Sequence, residues 1–117
     1  MLLRQLACAL LTVIVATTAH AHSKMTSSVP REGTTVKAGL PEITLGFSKP
    51  VRLILVKVRN KTGKEDVKTG FKPATGFGKA YPVDVQPLTA GAYQVNWTAI
   101  AKDGHIMKGT LSFSVAK

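Results

Sequence analysis

Near residue 95 every second side chain is large and apolar: Tyr93, Val95 and Trp97 alternate with Gln94, Asn96 and Thr98. Successive side chains of an extended chain point to opposite faces, so this period of two specifies a strand with one buried and one solvated face. The same rhythm returns at Ile43, Leu45 and Phe47 and at Leu111, Phe113 and Val115. Residues 51–59 form the richest apolar run, with Ile54, Val56 and Val58 on one face and Lys57 and Arg59 turned to solvent near its end. Past residue 22 no segment sustains a helical period, which excludes helical bundles and α/β folds.

Between these runs stand turn residues. Residues 24–29 read as a first strand stopped by Pro30 and Gly33, and the strand at 42–47 is expected to end at Pro50. Asn60-Lys61-Thr62-Gly63-Lys64 is a turn, residues 67–71 a short strand, and residues 72–80 a loop holding Pro73, Gly76 and Gly78. Residues 81–85 read as an edge strand, because Pro82 lacks an amide donor. Residues 87–91 form a turn, Lys102-Asp103-Gly104 suits a hairpin, and residues 106–115 make the last strand. About seven or eight short strands predict an all-β fold, an antiparallel Greek-key β-sandwich or barrel. Tyr93, just after a glycine turn, takes the tyrosine-corner position of immunoglobulin-like sandwiches, without their cysteines.

The first 21 residues follow another pattern. Arg4 is a positive start, Leu6 to Ala16 an apolar run too short for the roughly 20 residues that span a bilayer, and Ala19-x-Ala21 the small-residue signature of signal peptidase. Residues 1–21 are therefore expected to be a removed signal peptide and residues 22–117 one exported domain in the periplasm. Cys8 sits too early in the apolar run for a lipoprotein site. The chain's single cysteine leaves with the leader, which excludes disulfides, thiolate-bound zinc and blue copper from the mature domain. The net charge is +10, one less without Arg4, but the cations are scattered and no aromatic residues interleave with them. A solubilising surface is the reading, with no nucleic acid as partner.

Cutting after Ala21 would make His22 the first residue. The free amine and Nδ1 of an N-terminal histidine grip one metal ion in a chelate ring. The other histidine of the mature chain, His105, follows Asp103 by two, so the pair can face one way on an extended chain. His22, Asp103 and His105 would together offer three nitrogens and one oxygen. Such a set suits Cu(II), which favours tetragonal N/O fields and stands at the top of the divalent affinity order. A cut after Ala19 would instead expose His20-Ala21-His22, which can wrap Cu(II) without His105. Ala19-x-Ala21 fits the cleavage pattern better. Met25 and Met107 carry thioethers, soft ligands that favour Cu(I), but apolar strand positions usually pack, and both are read as core fillers.

These residues resemble the CopC-type periplasmic copper-binding proteins over nearly the whole mature chain. Ser28-Val29-Pro30-Arg31-Glu32-Gly33 is similar to that family's opening Ser-x-Pro-x-x-Gly, and Phe47-Ser48 to its second-strand signature. Leu88, Gly91, Tyr93, Val95 and Trp97 match its Leu-x-x-Gly-x-Tyr-x-Val-x-Trp run. Asp103-x-His105 followed by Gly109 matches its Asp-x-His segment, and Phe113-x-Val115 its closing strand. The resemblance implies a β-barrel of cupredoxin or immunoglobulin-like type. It also implies one Cu(II) per chain on His22, Asp103 and His105, and a monomeric copper carrier or buffer that hands its ion to a copper-transporting inner-membrane protein. Two features depart from the family. The stretch 63–80, where many members carry a Met-rich loop that binds Cu(I), has no methionine, and Lys49 stands where some have an acidic residue.

Two rival functions fit an all-β exported domain. A histidine brace on a β-sandwich also serves copper oxidoreductases that cleave polysaccharides, but those need a flat binding face, and most of the seven aromatic residues here have inward parity. A metal-free immunoglobulin-like interaction domain would fail to bind copper after correct processing.

Overall fold

The structure, a computed structural model, describes residues 24–117; the stretch expected to be a leader and His22 lie outside the described residues. Seven strands are present and no helix among the described residues. They are β1 (Met25–Val29), β2 (Thr35–Val36), β3 (Glu42–Asn60), β4 (Glu65–Val67), β5 (Gly78–Asp84), β6 (Gly91–Ala101) and β7 (Ile106–Val115). The main path of the sheet runs β1-β3-β6-β7-β2, and β4 and β5 also pair with β3. The pairings are antiparallel except β2 with β7, which is parallel, so the curled sheet is mixed where a purely antiparallel one was expected. β2 is only two residues long and reaches β7 without a hairpin of its own.

β3 organises the rest. The expected stop at Pro50 does not occur: the strand runs 19 residues through it and changes partners there. Its first part pairs with β1 on one edge and β5 on the other, and its second part with β6 and β4. Proline removes one ladder donor. The β5 register shifts between Gly46 and Val51, so the strand bends rather than ends. A second shift, between Leu53 and Leu55 on the β6 side, flips the parity. Leu53 is therefore fully buried, Ile54 only half-buried and Leu55 exposed, whereas Ile54 was expected to share the buried face of Val56 and Val58. Opposite the shift, Thr98 is buried although its parity predicted solvent. A bulge adds one residue to one strand, and period-two reading does not survive it.

Elsewhere the pattern holds. Ile43, Leu45 and Phe47, Tyr93, Val95 and Trp97, and Leu111, Phe113 and Val115 are all buried in one core. Burial of each such side chain contributes about 1.5–3 kcal/mol. Aromatic pairs mark its two ends: Phe47 meets Trp97 edge-on at 5.1 Å, and Tyr93 stacks on Phe113 at 5.6 Å. Tyr93 also makes the tie its position implied, donating its hydroxyl to the Thr89 carbonyl at 2.6 Å. β5 pairs only with β3 and carries Pro82, as an edge strand should, but begins at Gly78, inside the expected loop. In place of a strand at 67–71, β4 lies at Glu65–Val67 and a lone bridge joins Thr69 to Val85.

Candidate metal centre

Residues 102–105 join β6 to β7, and within them Lys102-Asp103-Gly104 separate the hydrogen-bonded residues Ala101 and His105. Gly104 has φ of 89°, the left-handed conformation such hairpins need in their last loop residue, where a Cβ would be strained. Its amide donates to the Ala101 carbonyl at 2.9 Å, and the Ala101 amide to the His105 carbonyl at 2.9 Å. The hairpin thus holds Asp103 and His105 in a set relation. The Asp103 carboxylate takes both contacts on offer: Oδ1 accepts from the His105 amide at 3.1 Å and Oδ2 lies 2.7 Å from His105 Nδ1. Both side chains are more than half exposed, so an ion could reach them.

His105 stands on the rim of an open groove of about 650 Å³. Lys24, just before β1, and Met25, its first residue, line it from one side, the start of β7 supplies Met107 and Lys108, and β6 supplies Trp97. β1 and β7 are not neighbours in the sheet; its curl brings their first residues to one groove. Lys24 is tied there by two bonds to Ser48, its amide donating to Ser48 Oγ at 3.0 Å and its carbonyl accepting from the Ser48 amide at 2.9 Å. Trp97 is 6% exposed, and its Nε1 finds no hydrogen-bond acceptor among the described residues. Its indole lies over Gly109, its partner across the β6–β7 ladder, where any Cβ would clash with the ring.

Of the three ligands expected from the sequence, Asp103 and His105 are brought together, and His22 lies outside the described residues. Among the described residues no cluster of three or more His, Cys, Asp or Glu side chains could hold a metal ion. Sequence reasoning assigned Trp97, Met25 and Met107 to the core. All three do pack there, and all three also line the groove. It gave no role to Ser48, because a tie across 24 residues leaves no local signal.

Residues 25–116 match the family described as the CopC domain. The chain belongs to the CopC family. It is 32% identical over 114 residues to "Copper resistance protein C" of Pseudomonas syringae pv. tomato, a match covering 88% of this chain and 87% of that protein. Among solved structures it is similar to PcoC, titled a methionine-rich copper resistance protein from Escherichia coli. The TM-score is 0.63 and the identity 30%, over 81% of this chain and 99% of that one. CopC from Methylosinus trichosporium OB3b gives a TM-score of 0.62 at 27% identity, over 81% and 94%. The CopC motifs now have physical roles in this chain. Ser28 Oγ donates to the Pro30 carbonyl at 2.8 Å, closing β1, and Glu32 accepts the Ser112 amide at 2.8 Å, tying the following turn to β7. Phe47 buttresses Trp97, Ser48 anchors the start of β1, and Gly109 leaves room for the indole.

Proposed function

We propose that this CopC protein is an exported Cu(II) carrier or buffer that holds one ion in the periplasm through His22, Asp103 and His105. The observation that carries the reading is the Asp103–His105 pair on the rim of a groove that Lys24 also lines. Only two residue steps, about 7 Å of extended chain, separate His22 from Lys24. The amine and imidazole of an N-terminal His22 are thus within reach of His105. The Asp103 carboxylate lies 2.7 Å from His105 Nδ1, so an ion taken by that imidazole has the carboxylate beside it as the oxygen ligand. Its negative charge also offsets that of the ion. The names of the relatives, copper resistance proteins, support copper as the cargo. Delivery to a copper-transporting inner-membrane protein follows from the same kinship.

The test is intact mass of the exported protein with and without Cu(II), which reads N-terminus and stoichiometry together. Mass beginning at His22 and one bound ion is expected. One extra residue before His22 converts the amine to a peptide nitrogen and should abolish tight binding in a folded protein. A protein that begins at His20, or one whose extended form binds as well, refutes this ligand set. Asp103→Asn should weaken Cu(II) less than His105→Ala does, because an amide oxygen keeps some ligating power without the charge.

A further inference from the structure

The chain holds three methionines, and one is Met1. The other two, Met25 and Met107, line the same groove, reaching it from β1 and β7, strands that do not pair with each other. His105 stands on the rim of that groove and Trp97 in its wall. Core filling alone gives no reason for this. Leucine or isoleucine fills a strand position as well, and the fully buried aliphatic positions of the core hold Ile43, Leu45, Leu53, Leu111 and valines instead. Neither methionine is fully buried: both are half-buried, packed on the core on one side and open to the groove on the other.

We propose that Met25, Met107 and His105 form a site for a soft monovalent metal ion, Cu(I) in the cell, beside and overlapping the Cu(II) site. Thioether sulfur selects Cu(I) over the divalent ions of the first row, and imidazole accepts it as well. An indole in the wall adds attraction for a cation. The pairing of β1 with β3 places Met25 opposite Phe47, whose ring meets Trp97; the pairing of β7 with β6 places Met107 opposite Ala99, two residues beyond Trp97. The two methionines and the indole therefore belong to one lining, reached from two different strands. Because His105 belongs to both donor sets, the protein holds one ion at a time. It takes Cu(II) on the nitrogen and oxygen side and Cu(I) on the sulfur side. Copper as the cargo rests on the function proposed above; the sulfur ligands do not.

Ag(I), which is redox-inert, is the probe, added to the mature exported protein labelled at its methionine methyls. Both methyl resonances should shift and saturate at one equivalent, and the fluorescence of Trp97, the single tryptophan, should change in step. The double variant M25L/M107L should bind Ag(I) more weakly by over about 100-fold, beyond the loss usual for an outer partner, with Cu(II) affinity unchanged within about twofold. His105→Ala should weaken both ions. Methyl resonances that stay in place, a double variant that binds Ag(I) like the parent, or an H105A protein with full Ag(I) affinity would each overturn the site. A parent protein that binds Ag(I) at the methionines but not Cu(II) upholds it and removes only the function proposed above.

Discussion

The two ends of β6 are built from similar residues and treated differently. At one end Tyr93 stacks on Phe113, and its hydroxyl donates to Thr89 and accepts from Asn60 Nδ2 at 3.4 Å. Asn60 Oδ1 accepts the amides of Thr62 and Gly63 at 3.0 Å each, so the turn beside it is closed as well. At the other end Trp97 meets Phe47, yet its Nε1 has no acceptor among the described residues, and a groove opens beside it with methionine and histidine in its lining. A buried donor without a partner costs about 1–3 kcal/mol. The fold satisfies its buried aromatic hydroxyl at the Tyr93 end and leaves the indole donor at the groove without an acceptor among the described residues, which teaches that stability and binding are divided along one strand.

Four substitutions break or sharpen that contrast. His105→Ala acts at the open end and should lower Cu(II) affinity by more than about 100-fold, beyond the cost of an outer partner. Its melting temperature should stay near the parent's, since the side chain is more than half exposed; copper titration followed by Trp97 emission and a thermal melt read the two. Gly109→Ala pushes a methyl into the indole and should cost about 1–3 kcal/mol by overpacking. Denaturant unfolding would show it, with altered Trp97 emission in the folded protein; an unchanged midpoint would mean the ring yields freely. Tyr93→Phe strips the closed end of its hydroxyl and should cost about 1–2 kcal/mol with copper binding intact, so a loss of affinity would show that the ends are coupled. Asp66→Ala breaks the exposed pair with Arg59, 3.0 Å apart near the closed end. It should cost less than about 0.5 kcal/mol, as solvated pairs do; a larger shift in urea midpoint would make that end's strength electrostatic rather than buried.

Acidification adds a check on the open end alone. Imidazole and amine must be neutral to ligate, so lowering the pH protonates the ligands and expels Cu(II). A copper affinity that stays flat into mildly acidic solution would contradict the nitrogen ligands while leaving the closed end untouched.

Period-two alternation and turn residues alone determined the all-β class, the buried faces of β6 and β7, the hairpin at Lys102-Asp103-Gly104 and the nearness of Asp103 to His105. Each of these is local: a strand's faces and a hairpin's loop are set within a few residues. Tertiary structure decided what local rules do not reach. β3 passes through Pro50 because β1 and β5 grip one part of it while β6 and β4 grip the other. The bulge at Leu53/Leu55 reassigns Ile54 because an extra residue shifts parity along β3, and Thr98, opposite it on β6, is buried against its own parity. The parallel pairing of β2 follows from where the chain lies after β1, not from the two residues of β2. The groove belongs to this second class. Met25 and Met107 stand 82 positions apart in the sequence, and each by itself reads as a core residue. Only the curl of the sheet, which carries β1 around to the start of β7, sets both thioethers beside His105 and Trp97.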